Sequence, residues 1–339
     1  MALIPYSELE RLLDRCADAH IGVVGDFALD CYWTTDPTAS LSSVETGNPT
    51  QPVFEQRYAA GAAGNVVINL LDLGCRQVSA FGVVGHDPWG LELMQVLGAS
   101  GADTAGIVEQ EQDWQTVAYV KPHVDGVEQN RWDFGDFNRL HDDISDRLVD
   151  CLATAMEGLD ALIINVQARS GIHTPHFRLR LAALIDSRPD SVFIIDSRDP
   201  HIMYSGCSLK VNEFEAARCC GYAASPDAGI SRAQVLAAAE ALFTERGEPV
   251  FVTRGHEGMV VYDSSGCTEV PAIELPGEVD TVGAGDAALS GISAMLACGV
   301  VPRRAACVGA LGAAVCASKL RQTGTATPEE ILSLLKRSK

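Results

Sequence analysis

Positive charge is scarce in this sequence: its 339 residues include 25 Lys and Arg against 45 Asp and Glu, a formal net charge of −20. Binding to nucleic acid or to an anionic membrane surface depends on Lys and Arg that neutralise phosphates. We therefore expect no nucleic-acid partner and no membrane partner. A small phosphorylated ligand is still compatible with this charge, because one helix N-terminus or a few local cations outweigh a diffuse field.

Metal-binding and targeting motifs are also missing. The eleven cysteines are scattered and contain no CxxC, so a zinc site has no support. His173 and His176 lack an evident third ligand, and Pro175 between them is typical of a helix first turn. The segment MALIPYSELERLL lacks the regions of a secretory signal, so we expect reduced thiols in the cytoplasm. The longest weakly polar run, 287–301, is too short to span a bilayer and predicts a buried helix.

Short apolar runs alternate with helical stretches along most of the chain. IGVVGD (21–26), ALIINV (161–166), VFIID (192–196) and PVFVTRG (249–255) are the apolar runs, and amphipathic segments such as TPHFRLRLAALIDS separate them. This βαβ alternation predicts an α/β fold with a mostly parallel sheet. We expect one domain over residues 1–339, since α/β domains of this length are common.

Two segments break this rhythm and predict a small β lid. Residues 31–58 are rich in Thr, Ser and Pro, and residues 113–134 resemble a hairpin that turns at Asp125 and Gly126. Exposed lid strands often pair with a second copy, so we expect a homodimer formed through the lid.

Capping residues mark the first and last helices. Ser7 with Glu10 predicts a capping box at the start of the chain, and Thr327 with Glu330 predicts one near its end. After Gly277 the sequence is typical of packed helices rich in Ala and Gly.

Residues 278–291, EVDTVGAGDAALSG, combine acids and glycines ahead of a run of small residues. Glycines at a helix N-terminus allow the backbone N–H groups of Ala284, Gly285 and Asp286 to face outward and hold an anion. Asp286 would lie in the first helical turn, where the helix dipole favours its ionised form. It could then accept a proton from an alcohol aimed at a phosphoryl group.

Other interpretations of this segment stay open on the residues alone. An acidic cap on a tightly packed helix is the more common role for such an Asp. GAGDAA also fits the GxGxxA form of a dinucleotide fingerprint, which would indicate an oxidoreductase. Against that, PGEVDT replaces the expected strand, and RRAA near position 305 replaces the expected acid. No GxxxxGK[ST] motif occurs.

The stretch DTVGAGDAALSG, residues 280–291, resembles the C-terminal signature of the ribokinase (PfkB) family of carbohydrate kinases. The resemblance implies a three-layer αβα ribokinase-like fold with a small β lid, and Mg-ATP as the phosphoryl donor. It also implies that Asp286 is the general base and that the amides of Gly283, Ala284 and Gly285 form the anion hole.

The resemblance extends over most of the chain and is closest to the branch that phosphorylates heptose 7-phosphate. GDFALDCYW and GAAGNVVINLLDLG resemble that branch's sugar-binding segments, which implies that Asp30, Gly61 and Asn65 bind the sugar. A carboxylate suits this role because it accepts from two vicinal hydroxyl groups. Ala62 stands where the family usually has a second glycine.

The resemblance also implies a nucleotide site and a cation site. NEFE matches the family motif NxxE, in which Asn212 and Glu215 serve the nucleotide and Glu215 acts on Mg²⁺ through water. VTRGHEGMVVY resembles the strand that presents Thr253 and Gly255 to the phosphates; its alternative is a plain β-hairpin. The residues implied for a monovalent cation, K⁺ by its preference for oxygen ligands, are Asp280, Val282, Gly324 and Thr327.

Cations in and near the lid are candidates for a phosphate carried by the acceptor sugar. The lid similarity to the heptose kinases implies Lys121, Arg131 and Arg169 for this role, since an anion needs local cations in so acidic a protein. Solvated surface cations are the alternative for any one of them.

These observations predict an ATP-dependent kinase of a sugar or sugar phosphate. A nucleoside kinase of the same fold is a second hypothesis. A catalytically weak sugar-binding or regulatory relative is a third, because the sugar loop is altered and Leu311 stands where an Asn near the adenine is common.

Overall fold

The computed structural model describes residues 4–222, 229–320 and 324–337. In order along the chain, the strands are β1 (His20–Gly25), β2 (Phe27–Thr35), β3 (Val53–Ala62), β4 (Gln77–Gly85), β5 (Asp103–Gln110), β6 (Val117–Val124), β7 (Val127–Glu128), β8 (Trp132–Phe134), β9 (Ala161–Val166), β10 (Val192–Ser197), β11 (Ser208–Asn212), β12 (Val250–Thr253), β13 (Met259–Asp263) and β14 (Gly266–Val270). The α-helices are α1 (Tyr6–Asp14), α2 (Ala63–Asp72), α3 (Pro88–Ala99), α4 (Asp142–Ala155), α5 (Pro175–Asp186), α6 (Glu213–Cys219), α7 (Arg232–Arg246), α8 (Ala284–Ala297), α9 (Pro302–Ala317) and α10 (Pro328–Arg337).

The main sheet contains nine strands within the described ranges, in the order β14-β13-β12-β11-β10-β9-β1-β4-β5. The strands from β12 to β5 run parallel to their neighbours, whereas β13 and β14 add an antiparallel edge. The apolar runs predicted as strands are all strands of this sheet, with ends that agree within one or two residues. The predicted mostly parallel sheet is therefore confirmed.

Helices cover both faces of this sheet. Helices α1, α2, α3, α8, α9 and α10 pack on one face, and α4, α5, α6 and α7 pack on the other. Along β9, Ala161 and Ile163 face the first layer while Leu162 and Ile164 face the second. A parallel strand buried on both faces needs apolar residues at every position, which is why the run ALIINV is continuous and not alternating.

The order of the strands reverses between β1 and β9. From β1 the chain proceeds outward through β4 and β5, and from β9 it proceeds in the other direction through β10, β11 and β12. In open α/β sheets, ligands bind outside the carboxyl ends of the strands at such a switch point. The neighbours at this point are Gly25 and Asn165, which pair across the two strands.

A second, smaller sheet lies beyond the carboxyl end of β1. Its order is β3-β2-β6-β7, with β8 beside β6, so it draws on both segments that break the α/β rhythm. Asp125 and Gly126 have φ values of +50° and +77° and connect β6 to β7, which confirms the predicted hairpin turn. β3 is an edge strand whose residues 53–57 are exposed.

The predicted helix starts have different outcomes. Thr327 and Glu330 cap each other at α10, since each backbone N–H donates to the other's side chain, as the sequence predicts. The predicted capping box of Ser7 and Glu10 is wrong. Helix α1 begins at Tyr6, one residue before Ser7. The extended Pro5 is its N-cap, and the Pro5 carbonyl accepts hydrogen bonds from the N–H groups of Glu8 and Leu9.

Candidate active site

The loop before α8 forms a turn that leaves backbone donors free at the helix N-terminus. Gly283 is the N-cap with φ +79°, a conformation that favours glycine, and Asp286 is the third helical residue. The N–H of Ala284 donates to Thr281 O at 3.2 Å, so our expectation that this amide faces a ligand is wrong. Among the described residues, the N–H groups of Gly285 and Asp286 have no backbone acceptor. The cradle therefore contains these two donors.

The Asp286 carboxylate faces the start of α2. Its Oδ2 accepts a hydrogen bond from Asn65 Nδ2 at 2.6 Å. The pKa of Asp286 is raised from 3.8 to about 6. Burial is the largest cause of the raised pKa and the nearby Asp196 carboxylate adds to it, while Asn65, Lys210 and Arg198 act in the opposite direction. We expected the helix dipole to favour the ionised form of this carboxyl, but the loss of solvation outweighs the dipole and raises the pKa. A carboxylate with a pKa near 6 is well suited to remove a proton at neutral pH.

A row of polar side chains lies beneath the cradle, and the sequence analysis missed it. Asn165, Asp196 and Lys210 pair in register across β9, β10 and β11, so their side chains share one face of the sheet. That face packs against α2 and α8. Apolar strands that each end in a polar residue are the signal that could have identified the row, because such residues meet at the carboxyl edge.

Lys210 brings a buried positive charge to the cradle. Its Nζ lies 3.1 Å from Asp196 Oδ2, and a Cβ added at Gly285 would lie 3.3 Å from this nitrogen. Burial lowers the pKa of Lys210, but the carboxylates of Asp196, Glu215 and Asp286 outweigh it and raise the pKa overall. Lys210 is therefore a cation that the surrounding carboxylates keep protonated beside an anion-binding turn.

Asp26 directly follows β1. Its Oδ2 accepts from the N–H groups of Gln167 and Ala168, and its Oδ1 accepts from that of Ile172, at 2.8 to 2.9 Å. A Cβ at Gly171 would lie 2.0 Å from this carboxylate. Asp26 therefore anchors the loop that follows β9, which is a structural role.

The predicted sugar-binding residues meet where the lid joins the main sheet. Asp30 Oδ1 forms an ion pair with Lys121 Nζ at 2.7 Å across β2 and β6, and both side chains are largely buried. A Cβ added at Gly61 would lie 3.2 Å from Asp30 Oδ2, so the glycine keeps that oxygen accessible. Asn65 lies four residues after Gly61, in the first turn of α2, and donates a hydrogen bond to Asp286.

The other predicted cations have different surroundings. Arg131 donates two hydrogen bonds to Asp133 and stacks over the ring of Tyr119. Arg169 is exposed in the loop after β9. Arg198, which the sequence analysis missed, is exposed just after β10, and its charge acts on both Asp286 and Tyr119. Arg198 is therefore close to both Asp286 and the lid residue Tyr119.

The NxxE residues cap helix α6. Asn212 Oδ1 accepts from Glu215 N, and Glu215 Oε2 accepts from Asn212 N, which is a complete capping box. Burial raises the pKa of Glu215. Thr253 pairs with Asn212 at the ends of β12 and β11, and Gly255 follows with φ +52°. These four residues share the carboxyl edge of the main sheet.

The residues predicted for a monovalent cation surround a thiol. Val282 O and Gly324 O lie 3.5 and 3.0 Å from Cys316 Sγ, which donates toward both. Asp280 Oδ1 accepts from Val282 N at 3.0 Å. The hydroxyl and the carbonyl oxygen of Thr327 both accept hydrogen bonds within α10. The two carbonyls thus converge, and each oxygen of Thr327 already accepts one hydrogen bond and keeps a second lone pair.

The two histidines of HTPH have separate partners. His173 is buried and its Nδ1 lies 2.9 Å from the Tyr204 hydroxyl, while His176 pairs with Asp146. Pro175 occupies the first turn of α5 after the N-cap Thr174, as predicted. The described part of the chain contains no cluster of metal-ligating side chains.

Comparison with known proteins agrees with this geometry. The sequence profile of the pfkB family of carbohydrate kinases matches residues 19–146 and 201–331. Within the described ranges, no helix combines the length and apolarity needed to cross a membrane.

Curated relatives align over nearly the whole chain. The bifunctional protein HldE of Trichlorobacter lovleyi is 28% identical over 331 residues, which covers 96% of this chain and 64% of that protein. The bifunctional protein HldE of Geobacter metallireducens is 29% identical over 330 residues, with the same coverage of 96% and 64%. The chain thus spans about two thirds of the length of these relatives.

Solved structures share the fold. Phosphofructokinase-2 from Escherichia coli in complex with potassium superimposes with a TM-score of 0.73 at 17% identity, over 95% of this chain and 99% of the other. Ribokinase from Thermotoga maritima superimposes with a TM-score of 0.68 at 19% identity, over 94% and 99%. The ribokinase-like fold expected from the sequence is confirmed. With the profile covering most of its length, the chain belongs to the pfkB family of carbohydrate kinases, phosphotransferases that act on a sugar hydroxyl.

Proposed function

We propose that this chain is an ATP-dependent kinase of a phosphorylated sugar, with a heptose 7-phosphate-like acceptor favoured. The observation that carries the proposal is the position of Asp286. Its carboxyl has a pKa raised to about 6 and lies in the same helical turn as two N–H groups that have no backbone acceptor in the described part of the chain, beside the buried cation Lys210. A base, an anion cradle and a fixed positive charge are the groups that phosphoryl transfer to an alcohol requires.

The residues of the chain suggest how the transfer proceeds. Asp286 accepts the proton of the acceptor hydroxyl as that oxygen bonds to the terminal phosphorus of ATP, while the bond from this phosphorus to the bridging oxygen breaks and ADP leaves. The amides of Gly285 and Asp286 and the ammonium of Lys210 stabilise the charge of the phosphoryl group during its transfer. Most of the acceleration then comes from positioning and electrostatics, because the transition state needs little covalent chemistry from the protein.

Two cations are part of this proposal. Glu215 would hold Mg²⁺ through water beside the nucleotide residues Asn212, Thr253 and Gly255, and Mg²⁺ would supply neutralisation of the phosphate charge. Only Oε2 of Glu215 takes part in the capping box, so Oε1 of this half-buried carboxylate is outside it, which supports this role. The carbonyls of Val282 and Gly324, with Asp280 and Thr327, are the proposed ligands for K⁺, and oxygen ligands suit such a hard cation.

A phosphate on the acceptor would meet a group of cations around the lid. Asp30 accepts hydrogen bonds from the sugar hydroxyls. The negative charge of the phosphate is compensated by Lys121, Arg131, Arg169 and Arg198. Lid closure over the bound sugar would exclude water and limit ATP hydrolysis.

The proposal is tested by a coupled ADP-release screen with Mg-ATP, with and without K⁺. The acceptors are hexoses, heptoses, their phosphates and adenosine. We expect turnover with a phosphorylated sugar and a much lower kcat/KM with its unphosphorylated form. Preference for adenosine would replace the proposal with a nucleoside kinase. Thermal stabilisation by sugars without ADP release would indicate a sugar-binding relative that has lost catalysis.

We also propose a homodimer formed through the lid in a reducing, cytoplasmic setting. The exposed edge strand β3, with Phe54 exposed by 69%, supports pairing of two lids. The eleven cysteines, which form no disulfide among the described residues, support a reducing environment. Light scattering after gel filtration measures the mass, for which we expect twice 36.0 kDa. A monomer at micromolar concentration would contradict the dimer.

A further inference from the structure

We propose that Asn69 is a positioning residue for the catalytic base: through Asn65 it fixes which oxygen of Asp286 is free to receive the substrate proton. The inference rests on the proposed role of Asp286 as general base. It concerns a residue that the resemblance does not assign to the reaction.

Asn69 lies one helical turn after Asn65 in α2. Its Nδ2 donates to the backbone oxygen of Asn65 at 2.9 Å and to Asn65 Oδ1 at 3.1 Å. Asn65 Nδ2 in turn donates to Asp286 Oδ2 at 2.6 Å. Residues four apart lie on the same face of a helix, so the three side chains form one continuous chain of hydrogen bonds.

The direction of these hydrogen bonds is determined by the Asp286 carboxylate, where the series ends. An ionised carboxylate is only an acceptor, so Asn65 must present its NH₂ group to Asp286 and its Oδ1 to Asn69. Asn69 must then present its own NH₂ group. Each amide therefore has one orientation, and Asn69 prevents the Asn65 amide from turning its oxygen toward the carboxylate.

The location of Asn69 favours a role beyond packing. It is 2% exposed, between the buried residues Val66 and Leu70. An amide in such surroundings costs free energy unless it is hydrogen-bonded, and an aliphatic side chain would fill the same volume without that cost. Its observed bonds lead to Asn65 and from there to Asp286.

The consequence concerns the two oxygens of Asp286. Oδ2 is occupied by Asn65, which leaves Oδ1 to accept a hydrogen bond from the acceptor hydroxyl. A base must lie within hydrogen-bond reach of the proton it removes, and small misplacements of reacting groups reduce the rate greatly. The other groups that act on Asp286 are Asp196 and Lys210 from the sheet, Arg198 from the loop after β10 and Cys316 from α9; none of them bonds to Asn69.

The main test is a double-mutant cycle of Asn69→Leu and Asn65→Ala, measured as kcat and KM for both substrates. Asn69→Leu alone should lower kcat roughly 10- to 100-fold and leave KM for ATP within about twofold. In the Asn65→Ala background it should cause no further loss, because Asn69 acts only through Asn65. An equal loss in both backgrounds, or no loss in either, would overturn the proposal.

Two further variants separate positioning from packing. Ser290→Ala removes a 3.3 Å hydrogen bond from Ser290 Oγ to Val66 O in the same α2 and α8 interface, outside the Asn chain, and should keep wild-type kcat. Asn69→Asp keeps the shape but replaces the donor with an acceptor, so it should reduce kcat at least as much as Asn69→Leu. A Ser290→Ala loss equal to that of Asn69→Leu would assign the effect to loosened packing.

A readout without turnover keeps this inference separate from the proposed function. The side-chain amide signals of Asn65 in ¹⁵N spectra should titrate with Asp286, with a midpoint near 6 in the wild type. Asn69→Leu should move this midpoint upward, and Ser290→Ala should not. An unchanged midpoint in Asn69→Leu would refute the positioning role, whereas full turnover by Asp286→Asn would refute the base assignment itself.

Discussion

Asn65 Nδ2 lies 2.6 Å from Asp286 Oδ2, although 221 residues separate the two along the chain. The contact joins the first turn of α2, which follows the lid, to the first turn of α8, which carries the anion cradle. The segments proposed to bind the sugar and the phosphoryl group therefore meet at one carboxylate. This geometry is what an in-line transfer from a nucleotide to a sugar hydroxyl needs.

Removal of the carboxylate should abolish most of the activity and leave the fold intact. Asp286→Asn keeps the shape of the side chain but cannot accept the substrate proton, so we expect kcat to fall roughly 10²- to 10⁴-fold. Steady-state kinetics with the best acceptor measure this loss, and circular dichroism and thermal melting check the fold. Turnover close to wild type would refute the base assignment.

The pH dependence of the reaction should reflect the raised pKa of Asp286. Because the base must be ionised, kcat/KM should increase with pH up to about 6 and then level off. Asn65→Ala removes a hydrogen bond that lowers this pKa, so the acidic limb should move to higher pH. A profile that is flat from pH 5 to pH 8 would contradict the assignment.

The same carboxyl should affect stability with a definite sign. Its pKa is higher in the folded state than the ordinary 3.8, so the folded protein binds this proton more tightly. The wild type should therefore lose stability relative to Asp286→Asn as pH rises from about 4 to about 6. Urea unfolding of both proteins across this pH range measures the difference, and an opposite trend would contradict the raised pKa.

Ala62 has a backbone conformation that favours glycine. Its φ of +50° and ψ of −126° are strained for a residue with a Cβ atom, and the family usually has glycine here. Ala62→Gly should stabilise the protein by about 1 kcal/mol, since the relief of strain exceeds the added entropy of the unfolded chain. Urea unfolding measures the change.

Ala60 provides the control for this substitution. It lies two residues earlier in β3, buried and in an ordinary strand conformation, so Ala60→Gly should destabilise the protein by roughly 1 kcal/mol. If both variants destabilise equally, the strain at Ala62 has no energetic consequence.

Arg198 should discriminate phosphorylated from unphosphorylated acceptors. Loss of a charge-assisted contact in Arg198→Gln should raise KM for a sugar phosphate roughly 10- to 100-fold and change KM for the unphosphorylated sugar far less. Arg188→Gln, at the amino end of β10 and remote from the cradle, should behave as wild type. Equal effects on both acceptors would show that Arg198 does not recognise the phosphate.

Local patterns were sufficient for the secondary structure and for the position of Asp286. Continuous apolar runs predicted the strands of the main sheet, and the turn residues Asp125 and Gly126 predicted the lid hairpin, because these features depend on nearby residues. The capping box at Ser7 was predicted wrongly. Pro5 can also begin this helix, and the residue pattern alone does not show which of the two residues is the N-cap. The proposed base and the glycines of its turn were chosen by resemblance.

What the sequence determined on its own was the order of strands and helices and the segment that holds the cradle, since periodicity and turn chemistry act over a few residues. The fold is what brings Asn69 into hydrogen bonding with Asn65 and Asn65 with Asp286, pairs Asp196 with Lys210 beside the cradle, and bonds the Ala284 amide to Thr281. The physical reason is that parallel strands bring their carboxyl ends together from distant parts of the chain. Burial there then sets the charge, the pKa and the hydrogen-bond partners of each side chain.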